Sequence, residues 1–415
     1  QQLLMALDVQ PSRIYIDLAS LSASGVWRAS LVVLLCMLVL TVFYCFSLGA
    51  SKRPKGAGGS VGLLRNRNAL RSSSVIVALV VLVPTLITLY RNYSMLSTVG
   101  YGARVTGAAG QVHGIANACG ILSELMPYAL LGILVTKKEG EKWPIVALLG
   151  YIFLYMMTGS RTTGFILLVT TAVVWFALFS KDTKNRQLLK IVIGGVAIAG
   201  LFSFVSLLRG ALEPSQAGGS LADLLVGNNV FIESLAEAGQ TFVVLGSVVE
   251  HCPAEVPFGN GATYFSGITY VLPNGLTGNY YESIDSVDEL FSPFVTQYSG
   301  VGSSFIAEAY YNFGYGSLAV MAIYGIILGR LQSAFDRAIE RKNYGAIFAI
   351  ASSFAIISFC VRSDVRTFLR TFVWSVSPIL LLNWLLCSKE EEFELSAKSL
   401  RDIGGITAPG DNRIN

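Results

Sequence analysis

Nine apolar runs, each long enough to cross a bilayer as a helix, constrain this chain more than any other feature. They lie near 26–49, 72–90, 114–136, 143–159, 162–180, 188–208, 303–329, 344–361 and 368–387. A helix needs about 17–25 apolar residues to cover roughly 30 Å of hydrocarbon. Backbone N–H and C=O groups find no water there, and the runs are too continuous for alternating barrel strands, so they are read as helices. Their many Gly, Ala and Ser residues suit close helix packing. Composition agrees: 53% of the residues are apolar, 13% are charged, and the mean hydropathy is +0.59. A soluble domain carries roughly 25% charge. The expectation is an all-α polytopic membrane protein, one transmembrane domain over 1–415 with a large outer loop at 209–302. The chain begins at Gln1 without a methionine, so further residues are expected before it and nine spans is a lower bound.

Charge fixes the sidedness. The segments 50–71, 137–142, 181–190, 330–343 and 388–415 together hold every lysine, which by the positive-inside rule makes them cytoplasmic. The alternate segments 1–25, 91–113, 159–162, 209–302 and 362–367 then face the other side. Of these, 209–302 is too long for a simple connector and too rich in Phe, Tyr, Val and Leu for disorder. Within it, 230–249 reads as an amphipathic helix on or in the outer interface, and 262–272 as a strand or a re-entrant piece.

The basic residues of the outer side are all arginine: Arg13, Arg91, Arg104, Arg161, Arg209, Arg362, Arg366 and, just inside the next span, Arg370. Arginine presents a planar fork that bonds phosphate oxygens in pairs, whereas lysine is a hydrated point charge. Pairing with the ten carboxylates of 209–302 is the plainer account of any one of them. It explains less well why Arg161, Arg209, Arg362, Arg366 and Arg370 all fall at outer helix ends, the depth of a headgroup phosphate. Arg161 is the sharpest case, because Gly159-Ser160-Arg161-Thr162-Thr163 is nearly the whole turn between two spans; its plainer role is a snorkelling anchor.

Among the acids, Glu308 lies about two turns into a helix entering from outside, where partial burial should raise its pKa toward the range of a general base. Alternatively it is a structural partner for an arginine. Glu124, within 114–136, reads as a structural ion-pair partner. His113 and His251 are both on the outer side and either could act as a base, though a lone loop histidine is more often a surface residue. The six cysteines, Cys36, Cys45, Cys119, Cys252, Cys360 and Cys387, lack paired or metal-like spacing, so neither a disulfide framework nor a metal site is expected. No phosphate-binding Gly-rich loop, His-Glu-x-x-His, Gly-x-Ser-x-Gly or Asp-x-Asp occurs. No cofactor and no nucleic acid partner is expected.

Arginines at headgroup depth and an acidic, aromatic outer loop suit a substrate that arrives already activated in the membrane. A polyprenyl-diphosphate-linked sugar is such a substrate: the diphosphate leaves, arginines neutralise its developing charge, and a carboxylate or imidazole takes the proton of the attacking hydroxyl.

The Gly159-Ser160-Arg161 turn, the long outer loop beginning at Arg209, and Ser304-x-x-Ala307-Glu308-x-Tyr310-x-Asn312-Phe313-Gly314 at a helix entry together resemble the O-antigen or oligosaccharide repeat-unit polymerases, over most of 70–387. The resemblance implies a bacterial inner-membrane enzyme with a GT-C-like helical fold and a periplasmic active site. It would pass a growing glycan from undecaprenyl diphosphate onto a new lipid-linked repeat unit, in some cases alongside a chain-length regulator in the same membrane. Arg161, Arg209, Arg362, Arg366, Arg370, Tyr310, Tyr311 and Asn312 would then contact diphosphate or glycan, with Glu308 and His251 the candidate catalytic groups. The usual family picture has about ten to fourteen spans, more than the nine visible here. The competing readings are an O-antigen ligase, centred on His251 and using lipid A core as acceptor, a shape-determining cell-wall glycan polymerase, and a flippase for the same lipid-linked sugar.

Overall fold

The computed structural model describes residues 21–50, 66–105, 114–158, 161–179, 239–272, 274–277, 280–295 and 302–388. The expected span at 188–208, Arg13, Arg209 and His113 lie outside these residues, as does the part of the outer loop before residue 239. The described elements are all helical: α1 (Ala23–Ala50), α2 (Arg67–Val105), α3 (Ile115–Ser123), α4 (Met126–Val135), α5 (Trp143–Met157), α6 (Arg161–Phe179), α7 (Gln240–His251), α8 (Ala262–Thr269), α9 (Val287–Val295), α10 (Phe305–Phe313), α11 (Ser317–Glu340), α12 (Tyr344–Phe359) and α13 (Val365–Ser388).

Five of these stretches are long and apolar enough to cross a membrane: Ala23–Ala50, Arg67–Thr98, Ile115–Val135, Phe305–Glu340 and Val365–Ser388. This is the architecture of a polytopic membrane protein. The runs expected at 143–159, 162–180 and 344–361 appear as α5, α6 and α12, of 15, 19 and 16 residues. At about 1.5 Å per residue the two shorter ones reach only about 24 Å. Outward-facing apolar side chains such as Leu34, Phe46, Leu79 and Val80 are 65, 70, 66 and 67% exposed, a surface that water would not tolerate in a monomer.

Two apolar cores sit side by side. One gathers α2, α4, α5, α6, α12, the first half of α13 and the C-terminal end of α11 around Phe348, Leu148 and Ile152. The other gathers α1, α7, α9, α10 and the start of α11 around Phe291, Met321 and Val244. The helix expected at 230–249 to lie on the interface is, over its described part α7, a buried strut of this second core: Val243, Val244, Leu245, Val248 and Val249 are all nearly inaccessible. The piece at 262–272 is helical, not a strand.

Helices α1 and α11 touch backbone to backbone. A Cβ at Gly325 would strike the Leu40 carbonyl, and one at Gly329 would lie 2.8 Å from the Tyr44 carbonyl. Small residues permit this approach in a bilayer. Gly329→Val is therefore expected to destabilise the protein by about 1–3 kcal/mol, the usual cost of overpacking, seen as a lower thermal midpoint in detergent.

The molecule has two chemically distinct ends. At one, Arg67 bonds the carbonyls of Thr136 and Lys137, Lys137 lies over the Trp175 and Phe179 rings at 5.1 and 4.6 Å, and Arg67 lies over Tyr344 at 5.5 Å. Here too Arg71 grips Glu141 with two bonds of 2.8 and 2.9 Å. That grip, with the Lys138 N–H, holds the Glu141 carboxyl down at about 2. A depressed carboxylate stabilises the fold above its ordinary pKa and stops doing so as pH falls. The advantage of the parent over Glu141→Gln is thus expected in full at neutral pH and to vanish between about pH 4.5 and 2, by thermal melts across that range. The opposite end carries the site described next.

Candidate functional site

Three segments converge at this second end: the turn before α8, helix α10, and the entry to α13. Their junction is a buried polar knot. Glu308 is fully buried; its Oε1 accepts from the Thr263 hydroxyl at 2.8 Å and its Oε2 from the Val365 N–H at 3.0 Å. Asn312, one turn further along α10, donates to the Thr263 hydroxyl at 2.7 Å and to the Glu308 carbonyl at 2.8 Å, while its Oδ1 accepts from the Gly261 N–H at 2.9 Å. A polar cluster this dry persists only when every member is bonded. Helix α10 itself starts at Ser304, whose hydroxyl caps the Ala307 N–H, and stops at Gly314, where φ is +54° and Phe258 closes over the backbone.

Val365 is the first residue of α13, so Glu308 anchors that helix by its N-terminus, where the orphan N–H groups and the helix dipole favour a carboxylate. The residue before it, Asp364, is the N-cap and accepts from the Thr367 N–H at 3.3 Å. Its other oxygen takes a 2.8 Å bond from Arg366 Nε, and Arg366 also donates to the Ile284 carbonyl at 3.0 Å. Arg370, one turn on, donates to the Tyr270 hydroxyl at 3.1 Å, lies 5.0 Å from the centre of that ring, and has Glu124 at 3.9 Å. Two residues beyond Arg370 the helix widens into a π turn, Phe372–Val376, with Trp374 donating to the Val271 carbonyl. Single π turns of this kind recur at functional sites.

In front of the α13 entry lies an open cleft of about 510 Å³, whose charged lining is Arg362, Arg366, Asp285, Asp288, Glu289 and Asp364. Two neighbouring acids there are pushed in opposite directions. Burial raises the Asp288 carboxyl, and the charges of Asp364 and Glu289 raise it further against a bond to Ser286. The Ser286 N–H, 3.0 Å from Glu289 Oε2, holds Glu289 below the usual carboxylate range. A pair of acids separated in this way is suited to divide proton transfer from charge stabilisation. Among the described residues no three His, Cys, Asp or Glu side chains gather as a metal-binding group.

Of the residues singled out from sequence, Arg362 and Arg366 line the cleft, and Arg370 lines an adjoining cavity that shares Tyr270 and Thr367 with it. Glu308 sits one layer behind it. Asn312 belongs to the Glu308 knot, and Tyr310 and Tyr311 pack edge-on against Phe258 and Phe291, at 6.5 and 5.8 Å, inside the second core. His251 stacks on Phe294 at 4.2 Å with its Nδ1 3.1 Å from Glu255, and it is not among the residues lining the cleft. Arg161 opens α6, with its side chain outside the described atoms, as is all of Arg209. Sequence reasoning missed Asp288 and Asp364. The signal for Asp364 was present: an acid flanked by Arg362 and Arg366, with Thr367 three residues on as the first-turn partner of an N-cap.

No curated protein and no solved structure matches the chain. The family described as O-antigen polysaccharide polymerase Wzy matches residues 1–389, nearly the whole length, and its defining activity accords with a carboxylate- and arginine-lined cleft at one end of a helical membrane protein. The chain therefore belongs to the O-antigen polysaccharide polymerase Wzy family.

Proposed function

We propose that the chain joins undecaprenyl-diphosphate-linked repeat units into a surface polysaccharide, at the periplasmic face of the bacterial inner membrane. The observation that carries this reading is the 510 Å³ cleft, which lies at the end of the bundle opposite the described lysines. By the positive-inside rule the lysine end is cytoplasmic. Nine or more spans in a GT-C-like arrangement remain the topology that fits this sidedness.

Like charge decides where each part of the substrate goes. Four carboxylates repel a diphosphate but accept bonds from sugar hydroxyls, so the acceptor glycan belongs in the cleft. The diphosphate belongs at its edge, where Arg366 and Arg370 follow each other by about one 5.4 Å turn of α13. In the transfer, the bond between the donor's anomeric carbon and the diphosphate oxygen breaks, and its electron pair leaves with the diphosphate. A new bond forms to the acceptor oxygen, whose proton passes to Asp288. The guanidinium groups meet the negative charge as it develops, Asp364 aims Arg366, and Glu308 fixes the turn that carries both. This route calls on no cofactor.

Removing one such electrostatic group costs about 10²–10³ in rate elsewhere. Arg370→Ala is expected to lose chain extension on that scale while still inserting, with single lipid-linked repeats collecting on the outer leaflet. Lysine at the same place keeps the charge but not the fork, and should recover only part of the rate. Ladders of normal length from Arg366→Ala and Arg370→Ala would refute the site; repeats trapped on the inner leaflet would indicate a flippase.

A further inference from the structure

Beside the cleft, on the other face of Tyr270, lies a second cavity of about 230 Å³. Its lining includes Glu124, Tyr128, Tyr151, Tyr155, Tyr270 and Arg370, beside apolar side chains such as Leu167, Ile356 and Phe359. Glu124 reaches it because the span 115–135 is broken there: Pro127 lacks an N–H, and the chain passes through tight bonds from the Glu124 and Leu125 N–H groups to the carbonyls of Ile121 and Leu122, both 3.2 Å. Irregular backbone at membrane depth is tolerated where it lines a cavity, and a carboxylate there marks a ligand path by default. The cavity and the cleft are two rooms with a common wall, since Tyr270 and Thr367 line both. Arg366 faces the first room and Arg370 the second.

A hydrocarbon chain matches only the apolar part of this lining and would shut the Glu124–Arg370 pair, 3.9 Å apart, away from water in a low-dielectric place. A sugar ring matches the lining. Its hydroxyls bond Glu124 and the tyrosine hydroxyls, and its C–H face lies against the Tyr151 and Tyr155 rings, whose centres are 5.7 Å apart. We infer that the tyrosine-walled cavity holds the donor's first sugar, the ring whose anomeric carbon carries the diphosphate, with its leaving group beside Arg370. The acceptor hydroxyl then comes from the cleft, and the bond forms at the common wall. Glu124, Tyr151 and Tyr155 become the residues that select the reducing-end sugar.

The inference rests on the polymerase reading, and the test separates the two. Purified full-length protein is given two analogues of the host's lipid-linked repeat unit. One has its acceptor hydroxyl capped, so it serves only as donor. The other carries a phosphonate in place of the oxygen joining sugar to diphosphate, so it serves only as acceptor. Glu124→Gln and Tyr155→Phe are expected to raise KM for the donor analogue, roughly tenfold or more for Glu124→Gln, as loss of a bond to a charged group requires. KM for the acceptor analogue should stay within about twofold. A rise in acceptor KM, no change in either, or equal rises accompanied by a lower thermal midpoint would overturn the assignment. If the parent protein joins no analogues at all, the polymerase reading falls, and this one with it.

Discussion

Asp288→Asn is expected to reduce chain extension by about 10²–10⁴, the span that a positioned general base contributes, with little change in folding. Asp288 lines the cleft, and its carboxyl is raised by burial first and by the charges of Asp364 and Glu289 second. A base must be unprotonated to work, so the activity of the parent should fall on the acid side at a pH above that of an ordinary aspartate. The variant's residual rate should show no such limb. Asparagine keeps the size and most bonds of the side chain, so a fall in rate without a fall in thermal midpoint isolates the proton transfer. The measurement is the pH profile of kcat/KM for ladder formation by both proteins. An unaltered acid limb in Asp288→Asn would remove Asp288 from the reaction.

Glu308 is expected to behave differently, since it touches the fold and not the cleft. Glu308→Leu would strand the Val365 N–H and the Thr263 hydroxyl in a dry site. Each orphaned group costs about 1–3 kcal/mol, together a large part of the roughly 5–15 kcal/mol that holds a domain folded. Folded yield should collapse. Glu308→Gln preserves volume and one acceptor but sets an NH₂ against one of the two donors. That variant should fold with a lower midpoint and lose rate, because the α13 entry that aims Asp364 and Arg366 loosens. Its acid limb should remain where the parent has it. An acid limb that disappears in Glu308→Gln would make Glu308 the base and Asp288 a bystander.

These two residues also show what sequence could and could not reveal. The helical, membrane-spanning character was legible, with five stretches of spanning length among the described residues, because hydropathy acts over long stretches and needs no knowledge of tertiary contacts. The cluster at Arg362, Arg366 and Arg370 was legible for a similar reason: the three arginines fall together at one end of an apolar run, where no lysine occurs. Glu308 stood out as a costly charge, but its role turned on Thr263, a residue 45 positions away that reaches it only because α8 folds as a helix against α10 and α13. The close seat of α8 depends on Gly267, where a Cβ would lie 3.3 Å from the Arg366 Cα. Asp288 carries no signal of its own in the sequence and Asp364 only that of an N-cap, and only the assembled cleft gives them a direction. Helix α7 was misplaced because an amphipathic pattern records an apolar face without saying whether lipid or protein covers it. Here Leu21 packs on Gly246 and the second core covers the rest. The break at Glu124 was signalled by Pro127, yet the apolar run around it masked the interruption.

The central claim is that the cleft before α13 opens to the periplasm and is where the glycan grows. Ser363 lines that cleft. In cells with a permeabilised outer membrane, a Ser363→Cys chain with its six native cysteines replaced, and still able to extend polymer, should react with a membrane-impermeant maleimide. The reaction should stop chain extension, and added lipid-linked repeat unit should slow the labelling. Labelling only after the inner membrane is breached, or labelling that leaves polymer length untouched, would contradict it.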